Sequence, residues 1–407
     1  MIEYKQHTFK NGLRLIHIQD QSLVAHFGVV FGTGSRDELI HEHGMAHFIE
    51  HMLFKGTKTR KPYHILSRME DVGGEIDAYT TKEFIVLNSS FPKQYFSRAV
   101  ELIADLTFNS TFPEKELKNE KEVVAEEIKM YKDSPSELIF DLFDEYQYAD
   151  HPMGRNILGS VKSLKKFTPE STKNYWNRQI DPKHTIVCSA GDLNLKQVIH
   201  LMEKYFSDFP ENSNPIERHK PPVIEPFNEV VKKKTYQAHC IMGTTAFGAK
   251  SPHRLNLLVL TNLLGGPGMN SRLNLMLREK HGMVYQVEAF YDIFSDCGNF
   301  GVYFGSDADN LEKCRTLITK EITKLAECKL GPMQIHNAKR QLLGQIILGS
   351  ENKSSLIISA AKSLLIHDRI WSTPEIVYNV ESITETQLQD TANEIFTGKE
   401  LSSLLIL

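Results

Sequence analysis

The sequence predicts an α+β protein made of two similar domains. Three observations lead there. The chain has 407 residues, enough for two or three domains with substantial cores. Residues 209–227 are rich in proline, asparagine and charge, show no periodicity and read as a linker. On both sides of it the segments run in one order: strands, two helices, a strand pair, then helices. The domains are therefore expected at 1–208 and 228–407. Residue-level repetition between the halves is too weak to show duplication by itself.

Short β-rich runs are read as strands and longer amphipathic stretches as helices. In the first half, strands are expected at 13–18 and 26–31, followed by helices at 44–55 and 63–72. A strand pair at 76–80 and 84–91 comes next. Helices follow at 94–107, 114–132, 137–148 and 170–178. A strand at 185–190 and a helix at 195–206 close the half. After the linker, strands are expected at 229–234 and 238–244, helices at 254–264 and 271–281, and strands at 284–291 and 299–305. Four further helices fill 311 to about 396, and 402–407 reads as a final strand.

The helix expected at 44–55 contains His47-Phe48-Ile49-Glu50-His51, an H-x-x-E-H pattern. At about 3.6 residues per turn, His47 and His51 share a face, and Glu50 sits beside them. Two imidazoles converging on one point suit zinc, and an adjacent carboxylate suits a general base acting on a water. The order reverses H-E-x-x-H, the inverzincin arrangement. Three fixed positions in five residues are only moderately specific, and two histidines and a glutamate can share a helix by chance. The other histidines read differently: His41 and His43 as loop or cap residues, His281 and His367 as surface residues. Phe48, Met52 and Phe54 read as core.

A catalytic zinc site usually has three protein ligands. The segment 113–133, PEKELKNEKEVVAEEIKMYKD, supplies candidates. Leu117, Val123, Val124, Ile128 and Tyr131 mark its buried side. Glu120 and Glu127 lie nearly two turns apart on that same face. Carboxylates are seldom buried unless paired or bound to metal. Glu127 is therefore favoured as the third ligand, and Glu120 as a partner that orients a ligand or the attacking water. Glu122 and Glu126, near Lys118, Lys121 and Lys129, read as an ordinary solvated face.

With these segments in view, the chain resembles the pitrilysin-type (inverzincin) zinc metallopeptidases. That family includes insulin-degrading enzyme, the mitochondrial processing peptidase and bacterial relatives. The chain looks like a small bacterial member similar to the processing peptidase beta subunit. The resemblance rests on GMAHFIEHMLFKGT at 44–57 and EKEVVAEE at 120–127. It extends to GTGSRDE at 32–38, GGEIDAYTTKE at 73–83 and GGPGMNSRLNLMLREKHGMVY at 265–285. It implies a metallopeptidase/LuxS-like fold: two similar domains, each a mostly antiparallel sheet with helices packed on one face, enclosing a cavity. It also implies one Zn²⁺ per chain on His47, His51 and Glu127, with Glu50 moving the proton. Arg278 and Tyr285, from the second half, are implied to face the zinc site, holding a substrate carbonyl and the developing oxyanion. Asp77, Ala78, Tyr79 and Thr80 are implied to receive an unfolded peptide as an added strand.

The implied activity is that of a zinc-dependent endopeptidase on unfolded peptides or short protein segments, working as a homodimer. The alternative is a non-catalytic structural or partner subunit of the same family. Such relatives lose parts of the zinc motif, whereas His47, Glu50, His51, Glu120, Glu127, Arg278 and Tyr285 are all kept here. Two departures from the family pattern stand out. Asp77 replaces the usual asparagine and cannot donate a hydrogen bond unless protonated. Pro267 adds a fixed φ to the glycine turn.

Composition fits a globular enzyme: 41% apolar, 24% charged, net charge −4. That charge gives no general case for nucleic-acid binding, and Lys232–Lys234 reads as a solvated strand edge. No apolar run approaches the length of a membrane span. The first residues, MIEYKQHTFKNGLRLIHI, resemble neither a secretory signal nor a mitochondrial presequence. Cys188, Cys240, Cys297, Cys314 and Cys328 are scattered and odd in number, as expected of free thiols in a reducing cytoplasm.

Overall fold

The computed structural model describes residues 3–212, 216–398 and 400–407. Met1, Ile2 and positions 213–215 of the expected linker lie outside the described residues. In chain order, the strands are β1 (Lys5–Thr8), β2 (Arg14–Gln19), β3 (Val24–Phe31), β4 (Glu75–Thr80), β5 (Ile85–Pro92) and β6 (Thr185–Gly191), then β7 (Asn228–Val231), β8 (Ala238–Ala246), β9 (Val284–Ile293), β10 (Gly298–Ser306) and β11 (Ser402–Ile406). The helices are α1 (Met45–Leu53), α2 (Pro62–Glu70), α3 (Phe96–Asn109), α4 (Glu114–Asp133), α5 (Pro135–Gln147), α6 (Val161–Leu164), α7 (Pro169–Gln179), α8 (Leu195–Phe206) and α9 (Arg254–Gly265). They continue as α10 (Leu311–Glu327), α11 (Pro332–Gly349), α12 (Lys353–His367), α13 (Thr373–Glu381) and α14 (Glu385–Phe396).

Among the described residues, five helices rather than four follow Leu311, because short breaks at Gly331, Asn352, Asp368 and Ile383 divide that stretch more finely than its periodicity suggests. Asn352 caps α12 by accepting from Ser355 N–H, and Asp368 ends it in left-handed backbone. β1 and α6 are short and were not anticipated. The remaining described linker residues carry no regular structure up to β7. β7 stops at Val231, so Lys232–Lys234 lies just beyond the strand.

Contacts divide the chain into two compact units. The first comprises Met1–Lys129, Arg155–His219 and Gly349–Ser372. The second comprises Met130–Gly154, Lys220–Leu348 and Thr373–Leu407. The contiguous halves read from composition are thus corrected in two places: α5 belongs with the later strands and α12 with the earlier ones. An amphipathic pattern shows that a helix has an apolar stripe, not which sheet covers it.

The first unit holds a six-stranded sheet in the order β1-β2-β6-β3-β5-β4. Every pairing is antiparallel except β2 with β6. Alternation along β3 sends Ala25, Phe27, Val29 and Phe31 to one face and Val30 to the other. The first face is covered by α1, α3, α4 and α8, through residues such as Phe48, Val100, Val124 and Met202. The opposite face is covered by α12, through Ile357, Ala361 and Leu364. β4 is an edge strand, paired through Asp77 with Asn88 of β5.

The second unit holds a five-stranded sheet in the order β7-β11-β8-β10-β9. Here only β7 with β11 is parallel. α9, α10 and α14 cover one face, and α5 covers the other through Ile139 and Phe143. Cys188, Cys240, Cys297 and Cys314 are buried and Cys328 is exposed, and none of the five is in a disulfide. No helix among the described residues is long and apolar enough to cross a membrane.

Candidate metal centre

α1 buries Met45, Ala46, Phe48, Ile49, Met52 and Leu53 against the first core. The face left over carries His47, Glu50 and His51. α4 crosses that face, anchored by buried Leu117, Val124 and Ile128. Glu120 and Glu127 share this inward side, whereas Glu122 and Glu126 are exposed and Glu126 pairs with Lys129 at 2.7 Å. Val123, expected on the buried side, is 51% exposed. The inward positions 117, 120, 124 and 128 are spaced three and four apart, and 123 falls off that stripe.

Three donor atoms converge. His47 Nε2 and His51 Nε2 are 3.3 Å apart. Glu127 Oε2 lies 3.7 Å from the first and 3.4 Å from the second. Donors about 2.0–2.1 Å from a tetrahedral zinc stand roughly 3.3–3.4 Å from one another, so the triangle has the dimensions of three zinc ligands. Among the described residues, this is the one group of histidine, cysteine and carboxylate side chains close enough together to hold an ion. Glu50 and Glu120 stand outside it.

Glu120 lies behind His51, with Oε1 3.1 Å from His51 Nδ1. Its Oε2 is 2.8 Å from Lys55 Nζ. Burial alone would raise Glu120, but the His51 and Lys55 hydrogen bonds outweigh it and hold the carboxyl below its ordinary range. Burial also opposes a charge on His51, yet the Glu120 and Glu127 carboxylates lift its pKa to about 9. Burial and the neighbouring His51 push His47 down to about 4. Two carboxylates facing two imidazoles demand positive charge, and a divalent cation supplies more of it than one proton. His47 Nδ1 is buried without a hydrogen-bond partner, so packing sets that ring's orientation.

Glu50 is half-buried, and burial lifts its pKa to about 6 despite a hydrogen bond with Thr80. Thr80 Oγ1 also lies 3.3 Å from the Ala46 carbonyl oxygen, so its single hydrogen serves one or the other acceptor, and both place the end of β4 against α1. Ala78 shares the α1 side of β4 and is buried there. Tyr79 points to the opposite face, 5.0 Å beneath the Lys362 ammonium, and Asp77 is exposed. All four expected strand residues therefore lie on the sheet edge, divided between its two faces.

In the second unit, Arg278 sits 5.7 Å from the Tyr285 ring, a cation–π arrangement. Tyr285 is the second residue of β9 and is 80% exposed. Both line a cavity of about 340 Å³ with the Gly265–Gly268 turn, Asn274 and residues 286–289. Arg278 belongs to a π-helical turn at Asn274–Lys280 rather than to the expected α-helix over 271–281. Such widened turns often occur at functional positions.

Two further residues, Lys55 and Glu38, contact the elements that carry the candidate ligands. Lys55 follows His51 by one turn, a spacing that could have flagged it. Glu38 offered no such signal, since its two hydrogen bonds to the start of α1 depend on the fold of the intervening loop. Burial pushes the Glu38 carboxyl up to about 8, against those two amides and Arg155.

Fold and site together define a two-domain α+β protein whose His47, His51 and Glu127 could hold a metal ion. Residues 14–161 match the family described as Insulinase (Peptidase family M16), and residues 166–342 match Peptidase M16 inactive domain. The chain is 31% identical to the uncharacterized zinc protease YmxG of Bacillus subtilis over 397 residues, covering 97% of this chain and 96% of that one. An uncharacterized zinc protease of Streptomyces coelicolor is 30% identical, with 98% and 88% covered. The chain belongs to peptidase family M16. The fold matches a crystal structure of a protease from Helicobacter pylori, with TM-score 0.92, 23% identity and 100% of both chains covered. It also matches that of a peptidase M16 inactive domain from Pseudomonas fluorescens, with TM-score 0.92, 17% identity and 99% and 97% covered. His47, Glu50, His51, Glu120 and Glu127 fall within the first family match, Arg278 and Tyr285 within the second.

Proposed function

We propose that this protein is a zinc-dependent endopeptidase that cleaves unfolded peptides or short protein segments. The observation that carries the reading is the triangle of His47 Nε2, His51 Nε2 and Glu127 Oε2, with sides of 3.3, 3.4 and 3.7 Å. These atoms would hold one zinc ion. Bound zinc supplies Lewis-acid polarisation of a carbonyl and a lowered pKa for water. Glu120 accepts a hydrogen bond from His51 Nδ1–H and so keeps Nε2 free to ligate. Glu50 takes a proton from the attacking water and passes it to the leaving nitrogen.

The substrate adds as an extended strand along the free edge of β4, at Asp77–Thr80, and is held mainly by backbone hydrogen bonds. That mode tolerates varied side chains and requires an unfolded segment. Arg278 and Tyr285 serve the same substrate, Arg278 at a carbonyl and Tyr285 at the developing oxyanion. Tyr285→Phe is expected to lower kcat about 10²–10³-fold, as loss of one oxyanion donor does, with zinc content unchanged. An unchanged kcat removes Tyr285 from the reaction. Pairing as a homodimer is part of the proposal and is read by light scattering on the purified protein.

A further inference from the structure

α1 carries two proposed metal ligands but no side-chain cap of its own. Its N-cap, Gly44, is left-handed at φ +91° and meets the backbone of Leu158 and Gly159, which leaves no room for a side chain there. The acceptor comes instead from Glu38, six residues upstream and 3% exposed. Glu38 Oε2 accepts from Gly44 N–H at 2.9 Å, and Oε1 accepts from Ala46 N–H at 2.7 Å. Ala46 immediately precedes His47.

A single cap oxygen fixes one point of a helix. A carboxyl engaged at two amides of the first turn also resists rotation about the helix axis. Apolar packing, which holds the rest of α1, is not directional. The difference matters because metal–ligand distances tolerate only about 0.2 Å. A rotation of about 10° moves an atom roughly 6 Å from the helix axis by about 1 Å. Glu38 is itself braced. Its carbonyl accepts from Arg155 Nη1 at 2.9 Å, and the Arg155 carbonyl accepts from Lys82 Nζ at 2.7 Å. Lys82 lies in the turn that ends β4.

We propose that Glu38 is a positioning residue for the metal centre, fixing the rotation of α1 so that His47 and His51 both direct Nε2 at Glu127. The proposal rests on reading His47, His51 and Glu127 as zinc ligands. Glu38→Gln is the test, because its amide nitrogen meets a backbone N–H and leaves one α1 amide without an acceptor. Zinc affinity is measured at about pH 9, where Glu38 with its pKa of about 8 is ionised and both oxygens accept, by chelator competition on metal-stripped protein, beside the thermal unfolding of the metal-free form. Val100→Ala, in the α3 core, serves as a control that destabilises without touching α1's first turn. Glu38→Gln is expected to bind zinc at least tenfold more weakly, the lower end of what outer-shell changes cause, while Val100→Ala binds as wild type. If Glu38→Gln does not fold, Arg155→Gln, which releases the brace and removes the charge near Glu38, is expected to bind zinc more weakly than wild type and Val100→Ala. Folded Glu38→Gln with affinity within twofold of wild type, or no weaker than Val100→Ala, overturns the proposal. So does wild-type affinity in Arg155→Gln where Glu38→Gln is unfolded. Wild-type protein that binds no zinc overturns the proposed function itself, a different result from equal binding by wild type and variant.

Discussion

Glu120 reaches two groups at once, His51 Nδ1 with one oxygen and Lys55 Nζ with the other. That makes it the residue on which the His51 tautomer depends. Glu120→Gln keeps the size of the side chain but removes the charge that favours the His51 N–H. Zinc affinity, read by competition with a chelator, is expected to fall about 10–100-fold, while Glu126→Gln leaves it unchanged. Equal affinities in the two variants contradict the assignment. Glu120 and Glu127 were legible in the sequence because helical spacing places both on the apolar face of α4. Val123 was not, since it lies at the rim of that stripe and periodicity does not resolve the rim. Lys55 and Glu38 escaped because each acts through a contact made by the fold.

At the scale of elements, α1 depends on its entry turn. Gly44 and Gly159 face each other, both with positive φ, and a Cβ on Gly44 would lie 2.7 Å from the Gly159 Cα and from the Leu158 carbonyl oxygen. Left-handed backbone costs an ordinary residue about 1–2 kcal/mol before any clash is counted. Gly44→Ala is therefore expected to destabilise the metal-free protein by more than that, measured by urea unfolding. Unchanged stability means the turn relaxes freely. Most elements were readable to within a residue or two, because a run of apolar residues marks β3 and strong amphipathicity marks α8. The π-helical turn that carries Arg278 was not, since nothing in local composition separates it from an α-helix.

Over the whole molecule, composition located the linker but not its attachment. Arg218, just before the end of the first unit, engages Asp37 with two nitrogens at 2.8 and 2.7 Å. Arg36 pairs with Glu83 at 2.7 Å beside it, and Arg36, Asp37 and Glu83 are buried side chains. Removing one partner of a buried pair leaves a charge without compensation. Arg218→Met is expected to cost about 3–5 kcal/mol in urea unfolding, with zinc affinity retained. A change under about 1 kcal/mol places this pair among ordinary surface bridges. The two-domain α+β class was legible from segment order. The exchange of α5 and α12 between the units was not, because the partner of an amphipathic face is a long-range property.

The central claim is that His47, His51 and Glu127 hold zinc while Glu50 moves the proton. Glu50→Gln tests it most directly, by elemental analysis together with cleavage of a quenched unfolded peptide. The predicted result is one zinc per chain in both proteins and cleavage only by the wild type. Undiminished cleavage by Glu50→Gln, or by wild-type protein stripped of metal, contradicts it.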